Sequence, residues 1–224
     1  MRYCTQPEST DGPETALARC PEFDQRLLRF DGGGEERRDD ERDEVLYVLE
    51  GAGTATIGGE QHELAPGTGL FVARGTAWQV DAAGDLLLLS VLVNDPLPAT
   101  ASHAVMPTGE DGTATAGRTF TLLASPDRGC PSVTQFRGFI PPGRAPDHFH
   151  RYDEVVYILA GEGALHVDGE TEELRPGTGV HLPARLIHCV ENTGTGELEV
   201  LGVFRPAGSP AEAYYSDGTA AADY

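Results

Sequence analysis

The stretch Asp43–Gly53 reads DEVLYVLEGAG, and the stretch Asp153–Gly163 reads DEVVYILAGEG. They lie 110 residues apart, and the same offset aligns much of what surrounds them. Cys20-Pro21 falls on Cys130-Pro131, Gln25 on Gln135 and Gly33 on Gly143. Gly59-Glu60 falls on Gly169-Glu170, Pro66-Gly67-Thr68-Gly69 on Pro176-Gly177-Thr178-Gly179, and Pro96 on Pro206. Of the 77 positions from 20 to 96, 24 are identical without a gap. A single long period of this kind means one fold used twice.

The repeat sets the expected organisation. Residues 1–97 form the first copy, 98–117 a small, polar, Pro/Gly-containing linker, and 118–206 the second copy. From Ala207 on, apolar periodicity is missing apart from Tyr214, Tyr215 and Tyr224. Residues 207–224 are therefore expected to be a tail, either loose or docked through its tyrosines. Within each copy, short runs of Val, Ile, Leu, Thr and aromatics alternate with Gly/Pro punctuation, as in Val155–Leu159, Ala164–Val167, Val180–Pro183 and Leu198–Phe204. That spacing reads as an all-β sandwich or small barrel. Gly58-Gly59 and Asp168-Gly169 sit where hairpin turns need positive φ. The apolar run Leu86–Val93 reads as a strand buried on both faces and is far too short to span a bilayer, which takes about 20 residues.

The 224-residue chain carries 36 acidic and 16 basic residues, a net charge of −20, and has no lysine. The charge argues against nucleic-acid and anionic-membrane partners. The missing lysine excludes a Schiff base and a P-loop lysine. No apolar leader follows Met1, so a cytoplasmic protein is expected, with Cys4, Cys20, Cys130 and Cys189 as free thiols.

The chemistry is concentrated in copy two. His148 and His150 are two apart on an extended segment, so their side chains leave the same face, and Glu154 keeps that parity. His188 follows the PGTG turn and could close the group from across the barrel. Imidazoles with one carboxylate suit a first-row transition ion. Read alone, an H-x-H pair is a weak signal and is usually two surface or satisfied core histidines.

These residues resemble the two signature motifs of the cupin superfamily. Gly143, His148, His150, Glu154 and Gly161 match the first. Gly169, Pro176, His188 and Asn192 match the second, with longer spacings around the turn. The resemblance implies a bicupin: two tandem cupin-type β jelly-roll barrels, one divalent metal ion (Fe, Mn, Ni, Cu or Zn) held by His148, His150, Glu154 and His188, and a small-molecule substrate. It also implies a possible homodimer, for which the apolar face of Val155, Tyr157 and Leu159 offers material, unless the two copies pair and cover it. Copy one departs from the motif. The offset sets Arg38 against His148, Asp40 against His150 and Trp78 against His188, and keeps only Glu44. Copy one is therefore read as metal-free. A carboxylate site of Asp40 and Glu44, or an anion pocket of Arg38 and Trp78, is the alternative.

Tyr152, Phe139, Arg137 and His181 are candidate pocket walls, with Tyr157 a further one. His166 and His181 could support the ligands, while His62 and His103 fall in turn and linker and are expected at the surface. Cys189 neighbours His188 but should face away. No residue is singled out as catalytic. Three functions remain open at this point: a dioxygenase-type enzyme, a Lewis-acid enzyme such as an isomerase, cyclase or decarboxylase, and a non-catalytic binding protein.

Overall fold

The computed structural model describes residues 3–221. Regular structure among them is almost wholly strand; the exceptions are single 3-10 turns at Thr115–Gly117 and Pro126–Arg128. The expected strands form at Asp153–Ala160, Gly163–Val167, Gly179–Leu182 and Leu198–Arg205, and their copy-one counterparts at Asp43–Glu50, Gly53–Ile57 and Gly69–Val72. Leu86–Val93 is buried throughout, as part of the long strand Trp78–Val93. Both hairpins turn at positive φ, with Gly58 at 58° and Gly59 at 91°, Asp168 at 52° and Gly169 at 81°.

Each copy is a two-faced β unit. In copy two the larger sheet runs Cys4–Thr5, Gly179–Leu182, Asp153–Ala160, Leu198–Arg205, Thr134–Ile140, Thr119–Leu122 and Glu110–Thr113. The smaller runs Gly143–Arg144, His188–Asn192, Gly163–Val167 and Glu170–Leu174. Between them lie Ile140, Val156, Ile158, Leu165, Leu174, Val180, Leu182, Leu198 and Val200. In copy one the long strand bends between faces. Its start pairs with Gly53–Ile57, and its end with Phe23–Gly33 and Asp43–Glu50.

The two compact units are not colinear with the expected boundaries. One comprises the segment up to Gln6, Glu110–Leu122 and the chain from Thr134 on; the other comprises Pro7–Gly109 and Leu123–Val133. The expected linker 98–117 is instead structured. His103–Met106 adds an edge strand to Gly69–Val72, and Glu110–Thr113 pairs with Thr119–Leu122. Its small polar residues still form ladders because strand pairing uses backbone groups, which composition does not reveal. The tail from Ala207 also docks: Tyr214 pairs with Phe149 in a β-bridge and stacks on its ring at 5.6 Å. Tyr224 lies outside the described residues.

The ungapped repeat needs two corrections. Asp43 pairs with Val93, but Asp153 pairs with Arg205, an offset of 112 in the last strand. The extra two residues lie in the loop after Asn192, whose side chain donates to the Ile140 and Gly196 carbonyls. Pro96 and Pro206 are thus not equivalent. Before the shared DEV stretch the offset is 111: Arg37 bridges Trp78 as His148 bridges His188, and Gly75 donates to Asp39 as Arg185 donates to His150. Arg37 and Asp39, rather than Arg38 and Asp40, occupy the histidine positions.

None of the four cysteines is joined in a disulfide. No helix among the described residues is long and apolar enough to cross a membrane. Val155 and Tyr157 are buried within the single chain, so they do not supply the exposed face on which a homodimer was argued.

Candidate metal centre

His148 and His188 are brought together by a reciprocal backbone bridge, N–H to carbonyl at 3.0 and 2.8 Å. His150 follows on the same face. One ring nitrogen from each of the three imidazoles lies within 4.8 Å of the others. Each ring is oriented by a backbone carbonyl. Nδ1 of His148 lies 3.0 Å from Pro146 O, Nδ1 of His150 2.7 Å from Glu212 O, and Nδ1 of His188 2.9 Å from Leu186 O. A carbonyl only accepts, so each Nδ1 must carry the proton, and each Nε2 keeps its lone pair. Burial holds all three imidazoles neutral. It lowers His148, takes His150 well below its ordinary range, and brings His188 to about 3, with neighbouring His148 adding to the last two shifts. Three converging lone pairs without a donor among them are an arrangement that could hold a cation. Tyr152 stacks on His150 at 4.7 Å and 8°, and on Phe204 at 4.0 Å, which fixes the His150 ring plane.

Glu154 lines the same cavity but lies outside the close histidine group. Burial raises its carboxyl to about 8, opposed by the positive charge of Arg118. No hydrogen bond reaches that carboxyl among the described residues. Copy one shows why. The equivalent Glu44 accepts from Trp78 Nε1 at 3.0 Å, Arg26 Nη2 at 3.2 Å and Ser90 Oγ at 2.5 Å. The counterparts of those three partners in copy two are His188, Phe136 and Gly202. A hydroxyl and a guanidinium have been replaced by hydrogen and phenyl, and the carboxylate is left uncommitted. A Cβ at Gly202 would meet Phe136 at 2.3 Å and Glu154 Oε1 at 2.9 Å, so the position admits only glycine without rearrangement.

The same comparison explains the cavity. Copy one fills its interior with Leu28, Phe30 and Trp78. Copy two places Gly138, Ile140 and His188 there, and a cavity of about 90 Å³ remains. Its walls are chiefly Phe136, Val156, Ile158, Leu182, Val190 and Val200. Thr115 from the expected linker, Arg118 and Thr119 from the start of the second copy, and Pro210, Ala211 and Ala213 from the expected tail also line it.

Of the expected pocket walls, Tyr152 and Phe139 line the cavity. Arg137 does not: it pairs with Glu199 and lies over the Phe139 ring, because the alternating strand sends Phe136 and Gly138 inward instead. His181 is also outside, bonded to Asp153 at 3.0 Å, since Val180 and Leu182 face in. Tyr157 is not in the lining, Cys189 turns away to the Ala145 carbonyl, and His166 bonds Glu191. Sequence reading missed Arg118. It is half-buried, donates to the Val190 carbonyl at 2.7 Å, and is lowered by burial. The one available signal was a lone cation directly before the alternating run Thr119–Leu122.

Neither alternative for copy one forms. Arg38 and Asp40 pair with each other at the surface, and Glu44 is already neutralised by Arg26. The Trp78 indole occupies the place of His188, with the Arg37 guanidinium over its ring at 5.9 Å.

A cupin-domain family model matches residues 27–93 and 137–204, more than half of the chain. The chain belongs to the cupin family. Its two cupin domains are tandem copies of the β-barrel described above. It is 36% identical over 66 residues to an oxalate-binding protein of Thermotoga maritima, covering 29% of this chain and 54% of that one. It is 35% identical over 68 residues to quercetin 2,3-dioxygenase of Bacillus subtilis, covering 28% of this chain and 20% of that one. The cupin thus spans only part of the length of these curated relatives. Among solved structures, an IolB-like protein from Salmonella typhimurium superposes with a TM-score of 0.76 at 14% identity, over 97% of each chain.

Proposed function

We propose that the C-terminal cupin domain is a metal-dependent enzyme site. One divalent first-row ion is held by Nε2 of His148, His150 and His188, with Glu154 completing the set and giving up its proton on binding. The observation that carries the reading is the shared orientation of the three imidazoles, each with Nδ1 committed to a backbone carbonyl. Such an ion would keep two positions open, enough for a bidentate organic ligand with dioxygen reacting beside it, or for Lewis-acid polarisation of that ligand. The chain supplies the rest. Arg118, on the cavity lining, attracts an anionic or enolic oxygen, and the apolar walls exclude water from the small molecule held there. Tyr152 and the Glu212 carbonyl keep His150 from rotating. The relative named quercetin 2,3-dioxygenase favours dioxygenase-type chemistry over Lewis-acid chemistry.

A second reading is binding without turnover. The relative named an oxalate-binding protein and the half-buried Arg118 favour it, with a small carboxylate as the ligand.

Metal content by mass spectrometry tests the site. The His148→Ala/His150→Ala protein should hold one transition ion per chain fewer than the unaltered protein; equal content rejects the reading. Oxygen uptake with catechol, enediol and diketone substrates then separates the chemistries. Consumption of dioxygen with substrate supports the oxygenase. Turnover that is indifferent to air supports the Lewis acid, and saturable binding with no turnover supports the binding protein.

A further inference from the structure

The N-terminal domain contains a group of metal-ligating side chains of its own, Glu60, His62 and His103. His62 lies on the hairpin strand Glu60–Leu64 and His103 on the edge strand His103–Met106. Their Nε2 atoms are 3.1 Å apart, and Glu60 Oε2 is 3.6 Å from His103 Nε2. One ligand atom from each of the three residues lies within 4.8 Å of the others. Around a tetrahedral zinc ion with bonds of about 2.0–2.1 Å, adjacent donor atoms stand about 3.3–3.4 Å apart. The two observed separations bracket that value.

The surroundings also fit. Ser102 Oγ lies 3.1 Å from His103 Nδ1, so the hydroxyl can accept the Nδ1 proton and leave Nε2 free. The His103 ring packs beside the Gly58 turn. The rings meet edge to face at 5.1 Å, which lets both Nε2 atoms address one point.

The repeat shows what this position does. In copy two, Glu172 stands where His62 stands in copy one, and it accepts from the backbone N–H groups of Tyr3 and Cys4 at 3.0 and 3.4 Å. It thereby tethers the edge strand Cys4–Thr5, which pairs with Gly179–Leu182 as His103–Met106 pairs with Gly69–Val72. Copy one makes the same tether with imidazoles, and two imidazole lone pairs at this distance need a proton or a cation between them.

We propose that Glu60, His62 and His103 bind a divalent first-row ion, zinc being the tetrahedral case, which ties the edge strand His103–Met106 to the hairpin of the N-terminal domain. This site is distinct from the C-terminal centre and does not depend on it.

Cobalt(II) titration of the full chain, followed by visible absorption and competed with zinc, tests the proposal. The first comparison uses the His148→Ala/His150→Ala protein with and without His62→Gln/His103→Gln. The expected result is one cobalt per chain, displaced by zinc and lost in the quadruple variant. Zinc at a hundredfold excess over its Kd should also raise Tm by about 5 °C or more, and only where both His62 and His103 are present. The second comparison, unaltered protein against His62→Gln/His103→Gln, needs no change at the C-terminal centre and should show the same loss of one equivalent. Equal cobalt uptake with and without His62 and His103, or uptake only at millimolar metal, overturns the proposal.

Discussion

Glu154→Gln should remove a pH-dependent loss of stability from the metal-free protein. The folded carboxyl sits at about 8 because burial disfavours its charged form. In the unfolded chain it returns to an ordinary value of about 4.3, so folding favours the protonated acid. A raised acid contributes its stability fully below the unfolded value and loses it as pH rises through the folded one. Between pH 6.5 and 8.5 the wild type should lose about 2 kcal/mol from this group alone. That window lies above the His188 transition, which acts in the opposite sense between about 3 and about 6.5. The assay is urea unfolding of chelator-treated protein at the two pH values, with and without Glu154→Gln. A variant as pH-dependent as the wild type would refute the argument that Glu154 is buried and uncommitted.

Other outcomes follow from the same contrasts. Transition-metal affinity at the C-terminal centre should fall about tenfold per pH unit below about 8, because the ion must displace one proton from Glu154; calorimetric titration at pH 6, 7 and 8 would show a flat profile if it does not. Arg26→Met should destabilise the protein by about 3 kcal/mol in urea, since it leaves the Glu44 carboxylate buried beside only Ser90 and Trp78, and Arg26→Met/Glu44→Gln should recover much of the loss. Gly138→Leu should lower Tm and shrink the cavity, costing about 1–3 kcal/mol, because a Cβ there already meets Val200 at 2.9 Å and Phe136 at 3.1 Å. A stability unchanged within error would contradict the packing.

Much of this was legible in the sequence because it is written in local period and in repetition. The DEV stretches, the PGTG turns and the H-x-H pair each mark a strand or its end, and strand parity carries His148, His150 and Glu154 to one side. What was not legible depends on pairing between distant segments. Residues 98–117 and the chain from Ala207 have loop-like composition, yet they provide an edge strand, part of the cavity lining and the carbonyl of Glu212 that orients His150. The charged run Glu35–Glu44 has no apolar period to anchor its register, so the one-residue slip that puts Arg37 in place of His148 was invisible until its bridge to Trp78 was seen. Parity separated His181 from Val180 and Leu182 only once the inward face of that strand was known.

On the proposed function, one chain carries the same glutamate in two settings, neutralised by protein groups at Glu44 and left for a metal ion at Glu154. Anomalous scattering from crystals of the metal-loaded protein, collected at the absorption edge of the bound element, tests it most directly. The account predicts a peak between Nε2 of His148, His150 and His188, within ligand distance of Glu154, and none beside Glu44. A peak at Glu44, or none at the three histidines, would contradict it.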